Sequence, residues 1–152
     1  MRKKLVVFVC IGNACRSPMA EGFARFLGSD VMEAVSAGIA PAGFVSDEAK
    51  QVMKEKGINI NQYLSKGINC INLWSADLVV SVGGPMADDI VNMVKQCSFP
   101  YPAGTREELP FPEIREWDLA DPIGMPVEFY RMVRDQIEEK IQALVEEMRK
   151  LS

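Results

Sequence analysis

From Leu5 onward, the run Lys3-Lys4-Leu5-Val6-Val7-Phe8-Val9-Cys10 is apolar without alternation. A β-branched run of this kind suits a strand buried on both faces, and such strands belong to parallel sheets with helices on each side. The residues after the run fit that demand. Met19, Ala20, Phe23, Ala24 and Leu27 recur at helical spacing between Ser17 and Leu27, with Pro18 in the first turn and Gly28 as the stop. Residues 10–17 therefore lie on a strand–loop–helix junction.

The alternation continues along the chain. Residues 31–38 read as a second strand, and 46–57 as a helix capped by Ser46 and stopped by Gly57. Residues 75–84 read as a third strand ending in two glycines, 85–95 as a helix, and 113–119 as a fourth strand. The Pro- and Gly-rich stretch 98–112 reads as a surface loop. Between 126 and 151, Phe129, Met132, Val133, Ile137, Ile141, Leu144, Val145 and Met148 form the apolar stripe of a long amphipathic helix, and its Met and aromatic residues are expected in the core. Strands alternating with helices imply right-handed crossovers and an α/β fold in which ligands bind outside the carboxyl ends of the strands. No repeat or linker divides the 152 residues, a length that supports one core without disulfide staples.

A formal charge of −4 disfavours a broad nucleic-acid or anionic-membrane surface, since such surfaces need a net basic field. The basic and apolar start looks like a signal peptide but lacks a cleavage site, so a first buried strand in a cytoplasmic protein is expected. No run reaches the roughly 20 apolar residues of a membrane span. The four cysteines, Cys10, Cys15, Cys70 and Cys97, contain no C-x-x-C pair, so neither a disulfide framework nor a metal site is expected. The chain has no histidine, which removes Ser-His-Asp and Cys-His catalysis. Acid–base work must fall to a carboxyl group or a polarised thiol.

The turn from Ile11 through Gly12, Asn13, Ala14 and Cys15 to Arg16 can point successive backbone N–H groups into one concavity at a helix N-terminus, an arrangement that holds anions. Arg16 adds a planar fork of donors matched to a tetrahedral oxyanion such as phosphate. The same field favours the thiolate form of a cysteine beside it, so Cys10 is the candidate nucleophile. Ser17 is placed to donate to that sulfur as it becomes a leaving group. Asn13 is expected to take a left-handed conformation that braces the loop, with Glu21 and Ser36 as candidate supports. A leaving-group proton must come from a carboxylic acid, and residues 117–124 offer Asp118 and Asp121. Asp121 is preferred, because Pro122 rigidifies the loop and Gly124 permits an unusual turn.

Cys10-Ile11-Gly12-Asn13-Ala14-Cys15-Arg16-Ser17 with the later Asp121-Pro122 resembles the low-molecular-weight protein tyrosine phosphatase superfamily. Residues 19–28, 35–41, 76–82, 117–124 and 129–141 are most similar to its arsenate reductase branch. The resemblance spans nearly the whole chain, taken as one domain over 1–152. It implies a four-stranded parallel sheet in a three-layer α/β/α fold, with Cys10 as nucleophile, Arg16 as oxyanion binder and Asp121 as general acid in phosphatase members. The expected substrates are arsenate, phosphate or a phosphate monoester, with no tightly bound cofactor. Reduction would draw on an external thiol: thioredoxin, glutaredoxin or a low-molecular-weight thiol.

Two features depart from the pattern. Thioredoxin-coupled members carry two relay cysteines after the third strand, where this chain has Ser81-Val82-Gly83-Gly84; Cys15 and Cys97 are the remaining redox candidates. Phosphatase members place aromatics after the Asp-Pro, where this chain has Ile123-Gly124-Met125, leaving Phe44, Trp74 or Tyr101 to line a mouth. Arsenate reduction is the preferred reading, ester hydrolysis the second. A non-catalytic oxyanion or redox sensor is the third, and a sensor needs no leaving-group acid.

Overall fold

The computed structural model describes residues 2–96 and 111–151. Cys97 and Tyr101, and most of the expected loop at 98–112, lie outside them. Four strands, β1 (Lys4–Cys10), β2 (Met32–Gly38), β3 (Leu78–Val82) and β4 (Glu113–Trp117), pair in the order β2-β1-β3-β4, every pair parallel. Four helices, α1 (Arg16–Gly28), α2 (Asp47–Lys54), α3 (Ala87–Lys95) and α4 (Val127–Leu151), cover the two faces. The four-stranded parallel α/β architecture is thus present.

The apolar run at the start forms the inner strand β1, and its side chains divide by the two-residue period of a strand. Val6 and Phe8 join the core shared with α1, α2 and α4, whereas Val7 and Val9 join the one shared with α3. All four are fully buried, which is why the run carries no polar alternation. The edge strand β4 is different, with charged residues at Glu113, Arg115 and Glu116. Arg115 forms a two-point pair with Glu147 of α4, at 2.8 and 2.6 Å, a charge pattern suited to a sheet margin.

Most element boundaries fall close to expectation. Ser46 caps α2 by accepting from Ala49 N at 3.1 Å. The α4 stripe is displaced at its start: Tyr130 is buried, Phe129 only partly so, and Met132 is 46% exposed. The face centred on Tyr130, Val133, Ile137 and Ile141 meets α1 and α2, and Met132 falls to its side. Arg134 is also buried, because its guanidinium donates to Val52 O at 3.0 Å and to Glu55 Oε1 at 2.7 Å.

Candidate active site

Cys10 closes β1 at the carboxyl end of the sheet, and Arg16 opens α1. Three of the five residues between them are held from outside through their carbonyls. Ala40 N donates to Ile11 O at 2.8 Å, Ala42 N to Gly12 O at 2.9 Å, Ser65 Oγ to Gly12 O at 3.0 Å, and Ser46 N to Ala14 O at 2.9 Å. With these carbonyls turned outward, the loop directs N–H groups toward its inner side. Asn13 takes the left-handed conformation, with φ of 48°. Its Oδ1 accepts from Lys66 N at 2.9 Å, while Nδ2 donates to Ser17 Oγ at 2.8 Å and to Ser36 Oγ at 3.0 Å. Ser36 in turn donates to Glu21 Oε1 at 2.6 Å. Ser36 therefore bonds the loop directly, and Glu21 acts on it through Ser36.

This wiring sets the direction of the bond at the thiol. Ser17 Oγ accepts from Asn13, so its single proton is left to donate. Cys10 Sγ lies 3.0 Å away, nearer than the alternative acceptor Ala37 O at 3.4 Å. Gly38 lies against the same loop, and a Cβ there would meet Ile11 O at 2.8 Å and Asn13 N at 2.9 Å.

Arg16 is 3% exposed and fixed by main-chain carbonyls, its Nη1 donating to Leu119 O at 2.9 Å and Gly83 O at 3.4 Å. Its Nη2 faces Asp121 Oδ2 at 3.5 Å. Asp121 Oδ1 accepts from Ile123 N at 3.1 Å, and a tight turn with Met125 N on Pro122 O comes next. The Asp121 carboxyl group is thus brought to Arg16, while Asp118 lines a separate cleft with Gln136 and Glu139. A cavity of about 40 Å³ lies between Cys10, Gly12, Ala14, Cys15 and Arg16 on the loop side and Ala42, Asp121 and Ile123 opposite. A larger cleft, about 460 Å³, lies at the other end of the sheet against Lys3, Asp30 and Met148. No cysteine lines it, whereas Cys10 and Arg16 both line the small cavity, which is the candidate site.

The remaining cysteines divide. Cys15 is buried, and its thiol lies 3.5 Å from Ser46 Oγ and 3.7 Å from Tyr130 Oη. Burial pushes this thiol above its usual range, and pushes Tyr130 up to about 12. Cys70 is exposed, and Cys10, Cys15 and Cys70 are all free thiols. Of the aromatic candidates for the mouth, Trp74 packs edge-on against Phe111 with centroids 5.1 Å apart, and Phe44 is 56% exposed two residues beyond Ala42. Ile123, 45% exposed, supplies apolar surface at the cavity, and Ile11 of the loop is also exposed. The sequence does not single out the Leu119 and Gly83 carbonyls, Ser65, Lys66 or Tyr130, nor the second role of the Ser46 cap beside Cys15. Only Tyr130 carried a usable signal, a hydroxyl within an otherwise apolar helical stripe. Among the described residues no cluster of potential metal ligands occurs, and no helix is long and apolar enough to cross a membrane.

Comparison with known proteins matches this architecture over nearly its whole length. A curated relative named Arsenate reductase 2, from Staphylococcus epidermidis, is 35% identical over 143 residues, covering 94% of this chain and 97% of its own. Another, named Glutaredoxin arsenate reductase, from Synechocystis, is 34% identical over 142 residues, covering 93% and 96%. The solved structure of an arginine phosphatase from Geobacillus stearothermophilus superposes with a TM-score of 0.75 at 32% identity, covering 97% of this chain and 94% of that one. These relatives are all enzymes. The family model for low molecular weight phosphotyrosine protein phosphatase matches residues 5–152, and the chain belongs to that enzyme family.

Proposed function

We propose that this protein is a thiol-dependent arsenate reductase in which Cys10 is the nucleophile, the loop 11–16 holds the oxyanion and Ser17 supports the sulfur. The observation that carries the reading is the placement of Cys10 Sγ, 3.0 Å from Ser17 Oγ, on a cavity of about 40 Å³ that Arg16 also lines. Such a space suits a tetrahedral oxyanion without a large substituent. The arsenate reductase names of the relatives support the same choice.

In this reading the Cys10 thiolate forms a bond to arsenic and one arsenate oxygen leaves as water after taking up protons. A second thiol then attacks the Cys10 sulfur, and the S–As bonding pair passes to arsenic. Arsenic(V) becomes arsenic(III) and departs as arsenite, while the two sulfurs are left as a disulfide for a further thiol to reduce. Cys15 is a poor second thiol, because burial keeps it protonated and it is bonded to Ser46 and Tyr130. An external thiol is the donor in this reading in preference to Cys15, with glutaredoxin supported by one relative's name, while Cys97 lies outside the described residues. The free thiols Cys10, Cys15 and Cys70 suit the reducing cytoplasm.

A second reading, hydrolysis of a phosphate monoester, is favoured by one feature. The Asp121 carboxyl group lines the cavity beside apolar Ile123, where a leaving-group acid would stand. The two readings share the attack by Cys10. They separate on arsenite formation by the purified protein, supplied with glutathione plus glutaredoxin or with thioredoxin, using Cys10→Ser as the blank. Cys10-dependent arsenite supports reduction. Its absence with both donors, alongside hydrolysis of an aryl phosphate, overturns it in favour of the ester.

A further inference from the structure

We propose that Arg25, on the outer side of α1, is a positioning residue for the Cys10 thiol, acting on Asn13 from both sides. On one side Arg25 Nη2 pairs with Glu21 Oε2 at 2.7 Å, four residues earlier on the helix. The other oxygen of this buried carboxylate accepts from Ser36, which accepts from Asn13 Nδ2. On the other side the Arg25 guanidinium lies 5.4 Å from the centroid of the Tyr63 ring. Tyr63 stands three residues before Lys66, whose N–H holds Asn13 Oδ1 at 2.9 Å. Arg25 Nε also donates to Ala34 O at 3.3 Å, two residues before Ser36 on β2.

The consequence comes from counting donors. Asn13 has two amide protons, one for Ser17 and one for Ser36. Ser36 in turn donates its own hydrogen bond to Glu21 Oε1. Arg25 supplies the opposite charge that makes a buried carboxylate tenable. Without it the buried Glu21 side chain loses its ionic partner behind the thiol and no longer holds Ser36 in one orientation. That change loosens the Asn13 amide and with it the bond from Ser17 to Cys10 Sγ. Lys3 and Glu33 border the same cleft as Arg25, and Arg16, Cys15 and Asp121 surround Cys10.

The proposal rests on Cys10 as the nucleophile, and its test uses no oxyanion, so it can fail separately from the proposed function. Alkylation of Cys10 by iodoacetamide is followed at the Cys10 peptide by mass spectrometry, from about pH 5 to about pH 9, on the folded protein. Arg25→Gln is expected to slow alkylation near neutral pH by about five-fold or more and to move the midpoint of the profile upward. Arg25→Lys restores the charge and stays within about two-fold of the parent. Lys56→Gln, which removes a surface cation paired with Glu138, changes neither quantity. A parent-like Arg25→Gln profile overturns the proposal. So does a slower rate with an unmoved midpoint, the result of a loop merely loosened. If Arg25→Gln fails to fold, Tyr63→Leu, which cuts only the second side, must move the midpoint in the same direction, and no movement overturns the proposal.

Discussion

Ser17 Oγ stands 3.0 Å from Cys10 Sγ and 2.8 Å from Asn13 Nδ2, so one hydroxyl joins the candidate nucleophile to the residue that shapes its loop. Hydrogen bonds to charged groups contribute about 1.5–3 kcal/mol. Ser17→Ala should therefore lower kcat for arsenate by about 10-fold to 100-fold while changing the affinity for phosphate, measured as a competitive inhibitor, by less than about three-fold. An unchanged kcat would remove Ser17 from the sulfur's chemistry.

Asp121 distinguishes the two reactions that share Cys10. General acids typically contribute about 10²–10⁴-fold to a step that needs a proton. Asp121→Asn should reduce aryl phosphate hydrolysis by about that factor and leave arsenate reduction within about five-fold. Both are measured on one preparation, and equal losses would show that Asp121 acts by holding Arg16.

The buried thiol of Cys15 gives an opposite expectation. Cys15→Ala should retain arsenate turnover within about three-fold, because the thiol is kept protonated by burial and is bonded to Ser46 and Tyr130. A collapse of multiple turnover with the first turnover intact would make Cys15 the second thiol.

Gly83 has no side chain because Arg16 occupies the space. A Cβ there would lie 2.6 Å from the guanidinium carbon. Gly83→Ala should displace Arg16 and weaken phosphate inhibition by about ten-fold or more, the scale of a charge-assisted hydrogen bond. Phosphate affinity unchanged by the substitution would place the oxyanion away from Arg16.

The α2–α4 contact makes a statement about acid stability. Glu55 is pulled down to about 2, first by its bonds to Arg131 and then by those to Arg134. A carboxyl group depressed in the folded state stabilises it above the unfolded value of about 4.3 and loses that contribution as pH falls through about 2. The Tm of the parent should exceed that of Glu55→Gln near pH 6, with the difference closing below about pH 4. A difference independent of pH would mean that packing, not charge, is responsible.

The parts of the site legible in the sequence were those fixed by local chemistry. The strand–loop–helix junction, the left-handed Asn13, the Ser46 cap and the placement of Asp121, not Asp118, beside the loop follow from spacing, turn preference and neighbouring proline. Glu21 and Ser36 were legible only as candidates, since nothing in their spacing requires that a strand and a helix present them to the same amide. Main-chain donors and acceptors such as Lys66 N and Leu119 O were not legible, because any residue carries them and only the tertiary fold selects which are used. The α4 stripe was misplaced at Met132 because an apolar residue beside a helical face satisfies the period almost as well as one at its centre.

Cys10 ends a strand enclosed on both faces, whereas Asp121 sits on a turn whose side chain is 45% exposed. Amide exchange at Val7 to Val9 should then require global unfolding, while exchange around 121–125 needs only a local opening. The two halves of the chemistry are thus mechanically separable. In the proposed chemistry the turn that would protonate a departing group can therefore open and close while the strand that carries the sulfur stays shut.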